Sequence, residues 1–239
     1  MLSTQPALAA DASMPGTVSG RAARLQMFAL LAEGERLAFN IATREALLAT
    51  DPVLKRLFQR QAAQEARHVT IFDCVVRYFC GESDVSSIRN AAGNSVQASA
   101  IARSLARAAA TGNLPAMVIG LQGVVEGIGV ALLESMRPER HADGALFDPI
   151  RRMVLAQERA HQHTGERALA AVMSDGRIAY GAAESLLSEA LACGHALLGQ
   201  HEEIFEHVGR PIAAMRAEVT RHAEAFLATS RAIQSGRPI

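Results

Sequence analysis

The 239-residue sequence predicts an all-α protein, a four-helix bundle with additional C-terminal helices. Three observations carry that prediction. Apolar residues make up 49% of the chain and aromatic residues only 4%, with Ala and Leu dominating over the β-branched and aromatic types that strands favour. Long stretches repeat apolar residues at the three- and four-residue steps of one helix face. Twice, at Asp51-Pro52 and Asp148-Pro149, an Asp able to cap free amides precedes a Pro suited to a first helical turn.

The elements follow in order. A first helix over about 21–49 carries the stripe Phe28, Leu31, Glu35, Ala38 and Ala42. A second opens at Asp51-Pro52 with Leu54, Phe58, Gln61, Glu65, His68, Phe72, Val75 and Phe79 on one face. A Gly/Ser/Asn-rich connection is expected over about 81–95, then a shorter helical stretch to Thr111-Gly112, where the chain stops and restarts at Pro115. The third stripe is Ile119, Gln122, Glu126, Gly129, Val130 and Leu133. After a loop through His141 and Gly144, the fourth opens at Asp148-Pro149 and carries Val154, Glu158, His161, Gly165, Leu169 and Val172. Two more helices, over about 179–208 and 211–233, are placed to cover an open side of the bundle.

Length and composition limit what such a protein does. The chain suits one domain over 21–239, preceded by a flexible tail over 1–20 that lacks the basic and apolar regions of a secretory signal. Lys plus Arg and Asp plus Glu are both 24, so no global field recruits a nucleic acid. No long run free of charges and strong breakers predicts a membrane span. Cys74, Cys80 and Cys193 make no C-x-x-C pair, which argues against a thiolate-bound iron or a disulfide framework and suits a reducing, cytoplasmic setting.

Polar residues in the middle of the apolar stripes carry the functional signal. Glu35 precedes Glu65-x-x-His68 by 30 residues, and Glu126 precedes Glu158-x-x-His161 by 32. Glu-x-x-His sets two ligands one helical turn apart on the same face. Four carboxylates buried together repel one another and lose hydration, so cations must balance them. Two divalent ions bring four positive charges, and neutral imidazoles complete the shell. Mixed carboxylate and imidazole donors suit iron, with manganese in one or both positions as the alternative, and disfavour a structural zinc site. Glu33 falls off the stripe and is expected in solvent.

This order of ligands resembles the ferritin-like di-iron carboxylate superfamily. The surrounding segments Glu33-Gly-Glu35, Glu65-Ala-Arg-His68, and Glu158-Arg-Ala-His161 with Gly165-Glu166 resemble its aldehyde-deformylating oxygenase branch most. The resemblance implies that Glu35, Glu65, His68, Glu126, Glu158 and His161 hold two iron ions. It further implies an oxygen-activating oxidoreductase, working on molecular oxygen and a hydrophobic small molecule such as a fatty aldehyde. Electrons would come from an external donor such as ferredoxin. Many relatives carry an Asp just before the second Glu-x-x-His, where this chain has Gln157. Leu31, Phe39, Phe72, Gln122, Gly129, Leu198 and His201 are the expected lining of a substrate pocket, with no catalytic residue beyond the metal ligands. A ferroxidase or iron-storage protein, which would require a cage-forming assembly, and an amine N-oxygenase or hydroxylase are the competing readings, and a homodimer is compatible with the oxygenase reading.

Overall fold

The computed structural model describes residues 20–80, 85–136, 144–207 and 209–236, and among them the chain is helical with no strand. The helices are α1 (Gly20–Leu48), α2 (Pro52–Cys80), α3 (Val85–Ala98), α4 (Ala100–Thr111), α5 (Leu114–Val118), α6 (Glu126–Ser135), α7 (Gly144–Ser174), α8 (Tyr180–Gln200), α9 (Glu202–His207) and α10 (Ile212–Gln234). A π-helical segment, Ile119–Val125, joins α5 to α6 without a break. The fold is an all-α ferritin-like bundle whose long members are α1, α2, the α5–π–α6 unit and α7. Antiparallel α1 and α2 pack along their lengths, α6 pairs with α7, and α2 touches α7 to close the ring.

The stripes read from the sequence are the inward faces. Phe28, Leu31, Ala38 and Ala42 on α1, Leu54, Phe58 and Phe72 on α2, Ile119, Val130 and Leu133 on the third unit, and Val154, Leu169 and Val172 on α7 are all buried. Burial of these side chains, each contributing about 1.5–3 kcal/mol when large, holds the four long members together. The helix α5–π–α6 has the length and hydropathy of a membrane span, with a mean of 1.9, which the sequence analysis did not anticipate. Its most apolar window is 83% buried inside the bundle, which is why it is so apolar.

Local signals set most of the helix ends. Asp51 Oδ1 accepts from the Val53 and Leu54 amides at 2.6 and 3.3 Å. Ser99 caps α4 through the Ala102 amide. Gly112, at φ 66°, ends α4 in the left-handed conformation that favours glycine, and Asn113 caps α5.

Several expectations are corrected. The connection expected near 81–95 contains α3, which lies on α1 and α4. Its Ala and Val spacing buries Val85, Ala92 and Val96 despite the Ser and Asn content. Glu33 is consequently buried rather than solvated, paired with Arg36 at 3.2 Å and facing α3 at Gly93. Helix α7 begins at Gly144, not at Asp148, so Pro149 lies in its second turn. There Asp148 forms ion pairs with Arg151 and Arg152 instead of capping. The expected helix over 179–208 breaks at His201, giving α8 and α9. The expected tail over 1–20 lies outside the described residues except for Gly20.

The extra helices α8 and α10 pack on the π segment, and α10 also on α6 and α7. Close approach there depends on glycine. A Cβ on Gly165 of α7 would stand 2.4 Å from the Gln122 Cβ and 3.0 Å from the Phe226 ring, whereas a Cβ on Gly129 meets nothing within 4 Å. Gly165→Ala should therefore destabilise the protein by about 1–3 kcal/mol through overpacking. Gly129→Ala should be neutral or stabilise by up to about 1 kcal/mol through helix propensity. Urea unfolding of the two variants checks the contrast, and equal midpoints would contradict it.

Candidate metal centre

Six side chains from the four long members meet in the middle of the bundle. Glu35 comes from α1, Glu65 and His68 from α2, Glu126 from the first turn of α6, and Glu158 and His161 from α7, and all six are buried. They form two overlapping groups, Glu35–Glu65–His68–Glu158 and Glu65–Glu126–Glu158–His161. In each, four possible ligand atoms lie within 4.8 Å of one another, and Glu65 and Glu158 belong to both. The imidazole rings stand 6.1 Å apart, centroid to centroid.

Each histidine turns its Nδ1 to the carboxylates and its Nε2 away. His68 Nδ1 lies 3.1, 3.0 and 3.1 Å from oxygens of Glu35, Glu65 and Glu158. His161 Nδ1 lies 2.9 Å from Glu65 Oε1. On the far side, His68 Nε2 is 2.6 Å from Gln157 Oε1, and His161 Nε2 is 3.1 Å from Gln64 Oε1. The amide oxygens can only accept, so both Nε2 atoms carry the proton and both Nδ1 lone pairs face inward when the ring is neutral. The two braces cross: the Gln before each Glu-x-x-His motif holds the histidine of the other motif. Gln157 thus occupies the position where an Asp was noted in relatives, and bonds a histidine as a neutral acceptor.

His68 Nδ1 is hydrogen-bonded to Glu35 Oε2 and Glu65 Oε2, but other atoms at the centre are close without being aligned for hydrogen bonds. Glu65 Oε1, Glu158 Oε1 and His161 Nδ1 are buried and have no hydrogen-bond partner, although Glu65 Oε1 and His161 Nδ1 are within 2.9 Å. Donor atoms aimed at a shared point produce this combination, and together with the donor chemistry it fits a metal site.

The protonation preferences fit the same account. Burial, reinforced by the charge on Glu158, pushes Glu35 and Glu126 well above the usual carboxylate range. Burial opposes charge on Glu65 and Glu158 too, but the close approach of both histidines, and of Glu126 in the case of Glu158, holds both below it. Desolvation disfavours imidazolium, yet the surrounding carboxylates outweigh it and raise both histidines far above their ordinary value. Without metal, burial favours a proton on Glu35 and Glu126, and the carboxylates around them favour charged histidines.

Glu126 is held from outside the cluster. Gln61 Nε2 donates to Glu126 Oε1 at 2.8 Å, and Gln122 Nε2 donates both to Gln61 Oε1 at 3.1 Å and to Glu45 Oε2 at 2.8 Å. The π segment places Gln122 on this line, and the Glu126 amide bonds back to the Leu121 carbonyl. Glu45, 0% exposed, was missed in the sequence although it continues the α1 stripe at Ala38 and Ala42. Gln64 was missed as well, although the dipeptide Gln-Glu opens both motifs.

The expected pocket residues divide. Leu31, Gly129, Leu198 and His201 line a narrow apolar cavity of about 80 Å³ together with Glu35, Glu126 and Glu158. Phe39 does not, being 37% exposed, because it lies off the α1 stripe. Phe72 does not either: it is fully buried and stacks on Phe28 at 6.4 Å. Gln122 is in the Glu45 network instead of the cavity. His201 bonds to Ser95 at 2.9 Å and is not among the clustered ligands. A further group, Glu134, Glu218 and His222, is half-exposed, and its acids pair with Arg159 and Arg221.

Burial raises the Glu45 carboxyl to about 8 from 4.5. The folded state therefore keeps a proton that the unfolded chain releases. The stability it confers is complete below about pH 4.5 and is lost as pH rises through about 8, on the order of 4–5 kcal/mol in full. Glu45→Gln should remove that slope, so its stability relative to the parent should rise between pH 5 and 9. Unfolding free energies across this range check it, and parallel curves would show that Glu45 is not buried as an acid.

No protein family profile and no curated protein matches the chain. Among solved structures, a protein with aldehyde deformylating oxidase activity from Synechococcus superposes with a TM-score of 0.75 at 19% identity, over 90% of this chain and 92% of that one. The likeness is one of fold: the chain has the ferritin-like architecture of that structure.

Proposed function

We propose that the protein is an oxygen-activating di-iron oxidoreductase acting on a hydrophobic small molecule with an alkyl chain, a fatty aldehyde being the first candidate. The observation that carries the reading is the pair of overlapping four-ligand groups with an apolar cavity directly beside them. Glu35 and His68 with Glu65 and Glu158 would hold one ion, and Glu126 and His161 with the same two carboxylates the other. Iron held in this way supplies oxygen activation with electrons from an external donor such as ferredoxin, and manganese could replace it in one or both positions.

The residues of this chain then have separable tasks. Gln64 and Gln157 accept from the Nε2 protons and fix both rings with Nδ1 inward. Gln61 orients Glu126, while among the described residues Glu35 is bonded only within the cluster, leaving it the freer carboxylate on the cavity side. Leu31, Ile128, Leu132 and Leu198 exclude water from the reacting end of a chain and supply an apolar surface along it. The Synechococcus protein's aldehyde activity makes aldehydes the first class to test. A ferroxidase would use the same ligands but would leave the apolar cavity without a purpose.

Anaerobic reconstitution with ferrous iron should give close to two ions per chain and a higher melting temperature by mass action. Glu126→Ala should lose the paired occupancy, and Gln157→Leu should weaken binding by about 10–100-fold. Because burial favours the protonated forms of Glu35 and Glu126 and the surrounding carboxylates favour protonated histidines when metal is absent, loading should release protons near neutral pH. Calorimetry in buffers of different ionisation enthalpy measures that release, and less than one ion bound would defeat the di-iron assignment. With oxygen and a reducing system, medium-chain aldehydes should be consumed. Oxygen uptake with no change in any aldehyde, acid or amine of a panel would favour the ferroxidase reading.

A further inference from the structure

The cavity beside the metal centre is apolar except at two places. Apart from Glu35, Glu126 and Glu158, the only polar side chain among the described residues that lines it is His201. His201 also lines a second, outer groove between α1, α3 and the α8–α9 junction, and only Leu30 shares that double position. Among the described residues, Leu30 and His201 are the side chains common to the inner cavity and the outer groove.

The backbone there is built differently from the rest of the cavity wall. His201 is the residue between α8 and α9, at φ −121° and ψ 19°. Its amide bonds to the Leu198 carbonyl, and its own carbonyl accepts from the Ile204 and Phe205 amides. A change of its side-chain rotamer thus breaks no helical hydrogen bond. What holds the ring is Ser95 of α3, whose Oγ lies 2.9 Å from Nε2. Val96, Ile101, Leu198 and Phe205, the neighbouring wall residues, are all buried. His201 is only half-buried.

The outer groove has a consistent charge. Glu202, Glu203 and Glu206 line it and are exposed, and no Lys or Arg is among its lining residues. Clefts of one sign concentrate ligands of the other and turn away their own. A chain ending in a carboxylate meets repulsion on the way in, while an uncharged chain meets none.

We infer that the α8–α9 junction is the door to the metal centre, closed by the Ser95–His201 hydrogen bond, and that it admits unbranched alkyl chains with an uncharged end while rejecting carboxylates. This rests on the proposed oxygenase reading and deepens it by naming which chains reach the metals and which residues select them. Ser95 and His201 are specificity-determining here, with no part in holding metal.

The test uses iron-loaded protein under anaerobic conditions, with decanol and decanoate fluorinated at the methyl end and followed by fluorine NMR, which reports both affinity and exchange rate. Decanol should bind at least about tenfold more tightly than decanoate. Combining Glu202→Gln, Glu203→Gln and Glu206→Gln should narrow that gap. Ser95→Ala should speed decanol exchange several-fold with the iron content unchanged, and His201→Trp should slow it. Should His201→Trp fail to fold, Ser95→Ala decides. Equal binding of the two chains, or exchange that Ser95→Ala leaves unchanged, overturns the inference. If decanol binds and exchanges as expected but no aldehyde is ever consumed, the door stands and the reaction falls. If no decanol binds, the door falls whatever the reaction is.

Discussion

Mutual repulsion among Glu35, Glu65, Glu126 and Glu158 is the constraint around which the rest of the structure is arranged. Four carboxylates drawn out of water into one space cannot all be ionised without positive charge beside them. In metal-free form burial favours the protonated forms of Glu35 and Glu126 and the carboxylates favour charged histidines, and two divalent ions would supply positive charge in their place. Every helix of the inner ring contributes to the cluster, so the same interaction that makes the site also fixes which faces of α1, α2, α6 and α7 point inward. Burial of the flanking Phe, Leu and Val side chains offsets what the polar centre costs.

The two halves are similar but not equivalent. Crossed braces from Gln64 and Gln157 treat the two histidines alike, each with a neutral acceptor. The carboxylates are treated differently. Glu126 sits at the end of a hydrogen-bonded line through Gln61 and Gln122 to the buried acid Glu45, while Glu35 bonds within the cluster. The position one turn before Glu158 that would correspond to Gln61 is Val154. A π-helical turn before Glu126 and the missing Cβ at Gly165 let Gln122 reach this line. The apolar cavity reaches Glu35, Glu126 and Glu158, so the less tethered carboxylate is also one that a bound chain would meet.

The helices beyond the ring turn a metal-binding bundle into a candidate enzyme. α8, α9 and part of α3 enclose apolar space that four helices alone would leave open, and the break at His201 provides a way into it. Nineteen per cent identity with the Synechococcus structure is enough to share a backbone plan over nine-tenths of the chain. It says nothing of substrate, so the functional reading rests on the site and not on the fold.

The sequence by itself determined the inner ring and its donors. Apolar periodicity is a local property, and a Glu or His that interrupts a stripe at a helical step must point where the stripe points, so all six clustered residues were legible from spacing alone. Their convergence on one point was an expectation that needed the packing of α2 on α7. Tertiary structure alone decided the rest. Glu33 and the Ser- and Asn-rich α3 bury each other, and neither carries a stripe that identifies its partner. Phe39 faces solvent and Phe72 the core because helix rotation against neighbours sets how wide the buried arc is. Pro149 is accommodated inside α7, where ion pairs from Asp148 replace the cap its sequence suggested. The break at His201 and the line from Glu45 to Glu126 join residues distant in the chain, and hydrogen bonds between distant residues leave no period for a sequence to display.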